Sequence, residues 1–363
     1  MPKRYLISGG GTGGHIFPAI AIGQALQELA PGAELHFIGA LGRMEMEKIP
    51  QAGYPITGLP IRGINRSKPW KNLSLPFALW KSYRMALATL KAFKPDAAIG
   101  VGGYASAAMG LAASKAGIPL ILQEQNAFPG KTNRWLARRA KAICVAHPGM
   151  ERYFDASKLH LTGNPVRKAF ETAGASKQEA KTQLGVDSSK PLVFLTGGSL
   201  GAEALNQALY SCLPSLQDMG VQVLWQTGSR SFADWSKKVP ANSRLQLADF
   251  IPDMALAFRA ADLVISRAGA IALAEMAMTQ TPSILVPLPG AAEDHQSFNA
   301  KSFEERGGAF MLPQNQLNDR LLPTLKELLE DPEKLETMRK ALGTIKQPNA
   351  AKTIAKIIQA HQL

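Results

Sequence analysis

A short apolar run that meets a cluster of glycines and passes into a helix occurs twice in this chain, and that repeat constrains the fold most. Arg4 to Ser8 is the first strand, Gly9 to Gly14 the loop, and Ile16 to Leu29 a helical stretch with Pro18 in its first turn. From Lys190 the pattern restarts: Leu192 to Thr196 is a strand, Gly197-Gly198-Ser199-Leu200-Gly201 a loop, and a helix follows from Ala202. Leu35 to Ile38, Asp96 to Val101 and Pro119 to Gln123 are further short, near-continuous apolar runs, as expected of parallel strands covered on both faces. The echo extends further. Ala98-Ile99-Gly100-Val101-Gly102-Gly103, an Ala-rich helix and Gly117-Ile118-Pro119 have a counterpart in Leu263-Val264-Ile265-Ser266-Arg267-Ala268-Gly269, the helix Ala270 to Met278, and Thr281-Pro282 before the strand Ser283 to Val286.

This pattern predicts an α/β protein of two Rossmann-like, doubly wound parallel-sheet domains, joined near Gly163 to Lys190. The expected boundaries are 1–163 and 164–345, with the helical stretch Asn349 to His361 in the 346–363 tail crossing back to the first domain. Ligands are expected beyond the carboxyl ends of the strands, in a cleft faced by both glycine loops. A length of 363 residues agrees with two domains, and 46% hydrophobic with 19% charged residues excludes global disorder. Met-Pro-Lys-Arg runs directly into Tyr5-Leu6-Ile7 and then glycines, which predicts a cytoplasmic chain with neither secretory signal nor membrane span. Cys144 and Cys212 stand alone, without Cys/His clusters, and are expected to be reduced and structural. Lys+Arg 41 against Asp+Glu 28 leaves a formal charge of +13, which points to an acidic partner: nucleic acid, an anionic membrane surface or phosphorylated small molecules.

Gly9-Gly10-Gly11-Thr12-Gly13-Gly14 satisfies G-x-G-x-x-G, but a nicotinamide site wants a carboxylate about 20 residues further on to hold the ribose. The second strand ends Phe37-Ile38-Gly39-Ala40, without one. A dehydrogenase is thereby disfavoured, and backbone N–H groups offered to phosphate at two helix N-termini are the better account. Close helix–strand packing explains one or two of these glycines, not five of six. His15, directly after the loop, is a candidate general base or phosphate donor, against the plainer reading of a satisfied structural histidine.

The segments Gly10 to Ala19, Gly102-Gly103-Tyr104-Ala105-Ser106, Glu124-Gln125-Asn126, Gly163-Asn164-Pro165-Val166-Arg167, Gly197 to Ala202, Ser266-Arg267-Ala268-Gly269-Ala270 and Asp294-His295-Gln296 through Asn299-Ala300 resemble those of the MurG family. These are the UDP-N-acetylglucosamine transferases that convert lipid I to lipid II in bacterial peptidoglycan synthesis. The resemblance implies a GT-B fold, with the donor held mainly by the C-terminal domain and the acceptor, undecaprenyl-pyrophosphoryl-N-acetylmuramyl pentapeptide, entering from the N-terminal one. It implies inverting transfer to the muramyl 4-hydroxyl, with no metal or other cofactor. Nucleic acid drops out as a partner, and cell-wall synthesis and division proteins enter as candidates.

Inverting transfer needs a base at the acceptor hydroxyl and N–H-rich surroundings at the departing diphosphate. His15 is the first candidate base, Glu124 the second, and a water held by both remains open. By resemblance, Thr12, Gly13 and Gly14 contact diphosphate, Asn126 the donor sugar, Arg167 and Ser199 the nucleotide, and the backbone of Ile251 the uracil. Ala270, Ile271, Ala272, Leu273 and Ala274 open a helix toward the donor phosphate, Glu275 accepts from the ribose, and His295 and Gln296 bind the transferred sugar. The plainer alternatives are a first-turn helix carboxylate for Glu275, an interdomain ion pair for Arg167, a turn residue for Asn126 and a surface histidine beside Asp294 for His295. One departure stands out: the family has His-Glu-Gln-Asn where this chain has Gln123-Glu124-Gln125-Asn126, so the family histidine is either dispensable or this chain is impaired.

A lipid acceptor requires docking at the cytoplasmic face of the inner membrane. Leu73, Phe77, Trp80 and Arg84 recur at helical spacing, with Lys68, Lys71 and Lys81 around them, while Leu79, Ala86, Leu90 and Phe93 form a second stripe expected to face the core. The competing account of this segment is a helix buried on two sides. Rival functions are a transferase with another lipid acceptor such as diacylglycerol, a UDP-sugar 2-epimerase, and a membrane-associated scaffold that binds UDP-sugar without turnover.

Overall fold

The computed structural model describes residues 2–63, 75–172, 174–239 and 244–363. They fall into two compact units, residues 1–167 with 349–363, and residues 168–348. In the first, β1 (Arg4–Gly9), β2 (Glu34–Ala40), β3 (Ile56–Leu59), β4 (Ala97–Gly102), β5 (Leu120–Glu124), β6 (Ala142–Val145) and β7 (Leu159–Leu161) form one sheet in the order β3-β2-β1-β4-β5-β6-β7. In the second, β8 (Leu192–Thr196), β9 (Gln222–Gln226), β10 (Leu245–Ala248), β11 (Leu263–Ser266), β12 (Ser283–Leu285) and β13 (Ala309–Met311) take the order β10-β9-β8-β11-β12-β13. Every pairing in both sheets is parallel. In each sheet the order runs outward from the first strand and then reverses, which leaves a crevice at β1/β4 and another at β8/β11.

Alternation of side chains across the strands builds a core on each face of the first sheet. Tyr5, Ile7, Phe37 and Ile99 pack under the Gly13–Leu29 and Ala350–His361 helices, meeting Ile22, Leu26, Ile354 and Ile358. Leu6, Ile38, Ala98 and Leu122 face the Leu75–Phe93 and Tyr104–Lys115 helices through Ala86, Leu90 and Met109. The second sheet buries Val193, Leu195 and Ile265 against Leu205, Leu209 and the Trp225–Trp235 pair. Both cysteines are free and buried, and burial pushes the Cys144 thiol up to about 12 and Cys212 to about 11, so neither is a nucleophile near neutral pH.

The first helix begins at Gly13 rather than Ile16, because the Thr12 carbonyl already accepts the His15 and Ile16 N–H groups at 3.1 and 3.2 Å. Pro18 therefore lies inside the helix, not in its first turn, and Gly13 and Gly14 are helical rather than loop residues. The strands β3, β6, β7, β9, β10 and β13 were not marked by periodicity. They are three to five residues long and carry no glycine loop or matching half-repeat of the kind that marks the equally short β8, β11 and β12. Among the described residues no helix is long and apolar enough to cross a membrane.

Candidate active site

At the β1/β4 crevice the glycines have separate reasons. A Cβ on Gly9 would press on the His15 carbonyl at 2.9 Å, Gly10 has no room because the Glu45 carboxyl fills the space, and Gly11 turns the chain with φ +89. Packing and turning thus explain Gly9, Gly10 and Gly11. Gly13 and Gly14 form the uncapped first turn of the helix, which also lacks acidic residues and so suits an anion. Across the crevice, a Cβ on Gly103 would strike the Gly10 carbonyl, and one on Gly102 would lie 2.7 Å from Cδ2 and 2.8 Å from Nε2 of His15. Ser106 fastens the two strands, donating to the Ser8 carbonyl at 2.7 Å and the Gly102 carbonyl at 2.8 Å.

His15 is half-buried in this crevice, with Nδ1 3.1 Å from the Gly10 carbonyl and 3.3 Å from Thr12 Oγ1. A carbonyl only accepts, so the bond to Gly10 requires the proton on Nδ1 and makes Nε2 the basic nitrogen. Glu124, at the end of β5, is 2% exposed. Its Oε1 accepts from the backbone N–H and Nδ2 of Asn126, and its Oε2 from the Gly130 N–H and Asn133 Nδ2, at 2.9 to 3.1 Å. Burial raises its pKa, and the four hydrogen bonds only partly offset that. Gln123 is fully buried, with Nε2 donating to Asn164 Oδ1 at 3.0 Å and Oε1 accepting from Gln125 Nε2. Gln125 also donates to the Val101 carbonyl, and Asn164 donates back to the Gln125 carbonyl. The residue that departs from the family pattern thus completes a buried amide network. Arg167, exposed, is the last residue of the first unit's N-terminal segment.

In the second unit every candidate follows the carboxyl end of a strand. Ser199 is exposed in the loop after β8, where Gly198 (φ +85) and Gly201 (φ +80) turn the chain and the Ser199 carbonyl accepts from the Ser229 N–H. Ile251, after β10, already donates its N–H to Gln226 Oε1 at 3.0 Å. The other end of Gln226 donates to Thr196 Oγ1 and the Gly198 carbonyl, so this one amide joins the glycine loop to the Ile251 segment. Gln226 was not among the sequence candidates, although a glutamine closing the buried run Val223-Leu224-Trp225 is a usable signal.

After β11, the Ala270–Thr279 helix opens on Gly269 with no side-chain cap and no acidic residue in its first turn. Ala270, Ile271, Ala272 and Ala274 are half-buried, and Leu273 and Glu275 are buried. Glu275 stands in the second turn, which corrects the first-turn alternative for it. After β12, His295 begins a helix behind two left-handed residues, Glu293 (φ 57) and Asp294 (φ 53), and its Nδ1 sits 2.6 Å from the Ala292 carbonyl. Gln296 Oε1 accepts the Leu288 N–H at 2.9 Å. Arg267 donates to the Val286 and Pro287 carbonyls and to Gln314, and buried Asn299 to the Ala268 carbonyl, so these loops are tied together. The described residues contain no cluster of His, Cys, Asp or Glu able to hold a metal ion.

On the Leu75–Phe93 helix, Phe77 and Trp80 are 65% and 55% exposed with rings 6.0 Å apart, and the Arg84 guanidinium lies 5.4 Å over the Trp80 ring. Lys81 is exposed beside them. This exposed face excludes a helix buried on two sides. Leu79, expected on the core stripe, is 44% exposed, because the core-facing line is Ser82, Ala86 and Leu90. Leu73, Lys68 and Lys71 lie outside the described residues.

Two matching parallel sheets, each with a glycine loop at its reversal point, are shared with solved glycosyltransferases and with a protein described as a UDP-N-acetylglucosamine 2-epimerase, so the fold alone does not separate transfer from epimerisation. The glycosyltransferase family 28 N-terminal domain matches residues 5–145 and the family 28 C-terminal domain residues 192–356, and the chain belongs to this family. A relative from Phocaeicola vulgatus, named UDP-N-acetylglucosamine–N-acetylmuramyl-(pentapeptide) pyrophosphoryl-undecaprenol N-acetylglucosamine transferase, is 44% identical over 97% of this chain and 95% of its own. The crystal structure of Acinetobacter baumannii MurG aligns with a TM-score of 0.82 at 32% identity, covering 99% of this chain and 100% of that one. A calicheamicin glycosyltransferase shares the fold alone, with a TM-score of 0.71 at 14% identity over 99% of this chain and 98% of its own.

Proposed function

We propose that this chain is an inverting glycosyltransferase that moves N-acetylglucosamine from UDP-N-acetylglucosamine to the 4-hydroxyl of the N-acetylmuramyl residue of lipid I, giving lipid II. The relatives' shared name over nearly the whole chain supports the substrates. The observation that carries the chemistry is His15, held in the β1/β4 crevice with Nε2 as its basic nitrogen. In the transfer the acceptor O4 attacks C1 of the sugar, the C1–O bond to UDP breaks with its electron pair leaving on the diphosphate, and the O4 proton passes to His15 Nε2. Glu124 is the poorer base, since both its oxygens are already occupied by N–H donors. We assign it to shaping the Asn126–Gly130 loop.

The second unit is proposed to hold the donor. The uncapped Ala270–Thr279 helix and the glycine loop at Ser199 face the diphosphate, Glu275 takes the ribose, and His295 and Gln296 take the sugar. Ile251 then meets the uracil through its carbonyl, its N–H being donated to Gln226. Asn126 and Arg167 contribute to donor contact, and Thr12, Gly13 and Gly14 face the acceptor diphosphate. Phe77 and Trp80, with Lys81 and Arg84, dock the protein on the anionic cytoplasmic face of the inner membrane.

The test is UDP release from UDP-N-acetylglucosamine with and without a short-chain lipid I analogue. Acceptor-dependent release with a β-1,4 disaccharide product is expected, together with loss of turnover but retained donor binding in His15→Ala. Conversion of UDP-N-acetylglucosamine to its 2-epimer without acceptor and without net UDP release would support the epimerase, and binding with neither release nor conversion the scaffold.

A further inference from the structure

Glu45 opens the Glu45–Gln51 helix and is completely buried, yet no catalytic candidate accounts for it. Among the described residues no Lys, Arg or His nitrogen pairs with it. Its partners are backbone N–H groups: Oε1 accepts from Ala40 at 3.0 Å, and Oε2 from Gly11 at 2.9 Å. The fit around it is tight. Gly10 has no room for a Cβ against this carboxyl group, and a Cβ on Gly39 would lie 2.6 Å from Glu45 Cγ.

The peptide unit that joins Gly10 to Gly11 is engaged at both ends. Its N–H, on Gly11, donates to Glu45, and its carbonyl, on Gly10, lies 3.1 Å from His15 Nδ1. A carboxylate on the N–H of a peptide polarises the amide and makes its carbonyl a stronger acceptor. A stronger acceptor at Nδ1 fixes the imidazole tautomer and stabilises the imidazolium that forms when Nε2 takes a proton.

We propose that Glu45 is a positioning residue for the transfer, acting on His15 through the single Gly10–Gly11 peptide. This rests on His15 being the base. The arrangement does the work of the carboxylate in a Ser-His-Asp triad, with a backbone amide inserted between acid and imidazole. It keeps the negative charge buried beneath the loop and away from the anionic substrates, while the helix N-terminus at Gly13 and Gly14 stays open to phosphate. Titratable groups at the ends of these elements nearest in sequence to the glycines and Glu45 are Tyr104, directly after Gly103, and exposed Arg43, in the turn before Glu45, with Glu124 closing β5.

Two measurements on the full-length protein test this. Nitrogen-15 NMR of histidine-labelled wild-type protein above the imidazole titration should show His15 as the Nδ1–H tautomer; a dominant Nε2–H tautomer would overturn the proposal without any variant. In turnover assays Glu45→Gln should lower kcat roughly tenfold and move the acid limb of kcat/KM down by about half a pH unit, with KM for both substrates nearly unchanged. Glu45→Asp, which keeps the charge, should restore the wild-type limb. In a His15→Ala background Glu45→Gln should cost nothing further. An unshifted acid limb, or an equal loss with and without His15, would make Glu45 merely structural. If His15→Ala itself turns over normally, the assignment of the base fails, while the tautomer measurement still reports on the peptide link.

Discussion

The contact between Gly102 and His15 can be tested by one methyl group. Gly102 sits at φ +108, where any side chain is strained, and an added Cβ would lie 2.7 Å from Cδ2 and 2.8 Å from Nε2 of the imidazole. The backbone alone should cost about 1–3 kcal/mol in Gly102→Ala. For a unit of this size that lowers Tm by about 2–4 °C per kcal/mol. Relief of the contact requires the ring to retreat by about 0.7 Å to reach ordinary van der Waals distance. A base displaced that far should lose about tenfold to a hundredfold in kcat. Gly32 supplies the control, because its φ of +90 carries the same strain while a Cβ there meets nothing within 4 Å. The assay compares kcat with the short lipid I analogue, and UDP affinity by calorimetry, for Gly102→Ala and Gly32→Ala. Both variants should melt earlier and bind UDP normally, and only Gly102→Ala should lose turnover. Equal kcat in the two would refute the idea that the glycine is there to seat the histidine.

Restoring the family histidine with Gln123→His should leave kcat within about twofold, but lower stability by about 1–3 kcal/mol as the amides of Gln125 and Asn164 lose their partner. A tenfold rise in kcat would instead place this position in the chemistry. Replacing Phe77 and Trp80 together by alanine should abolish sedimentation with anionic vesicles while sparing turnover of a soluble acceptor analogue, and unchanged sedimentation would move the docking face elsewhere. In Asp262, burial works to raise the pKa, but hydrogen bonds from Lys177 at 2.8 Å and Lys181 at 2.7 Å hold it below the usual carboxylate value. Its stabilisation is therefore present above the unfolded-state value near pH 4 and lost as pH falls through the lower folded-state value. Urea unfolding of Asp262→Asn should show a deficit of about 3 kcal/mol at pH 7 that shrinks toward pH 3, and a deficit independent of pH would refute the charge assignment.

The parts of the fold that could be read in the chain are those written locally. Leu192 to Thr196 was bounded correctly because an apolar run between Lys190-Pro191 and Gly197 has no competing period. The first helix was begun three residues late because glycine carries a loop signal by composition, whereas Gly13 and Gly14 are helical only through hydrogen bonds that close on Thr12. On the Leu75–Phe93 helix, spacing separated two stripes but could not say where packing stops. Leu79 shares the helical side of Ser82 and still ends 44% exposed.

The same division runs through the site. His15 could be read as a candidate from its place directly after the glycine loop of β1, at the carboxyl edge of a parallel sheet where ligands bind, whereas Ser199, Ala270 and His295 entered through the family resemblance. Glu45 and Gln226 came by neither route, since what they do depends on partners 34 and 25 residues away, Gly11 and Ile251. Within Arg43-Met44-Glu45-Met46-Glu47-Lys48, Glu45 reads as one more solvent-facing charge, and only the missing side chains of Gly10 and Gly39 make room for it. Those glycines, taken locally, resemble a phosphate loop and a strand end. A buried carboxylate and the glycines that admit it are thus one feature split across the chain, and neither half announces the other until the sheet has placed β1 beside β2.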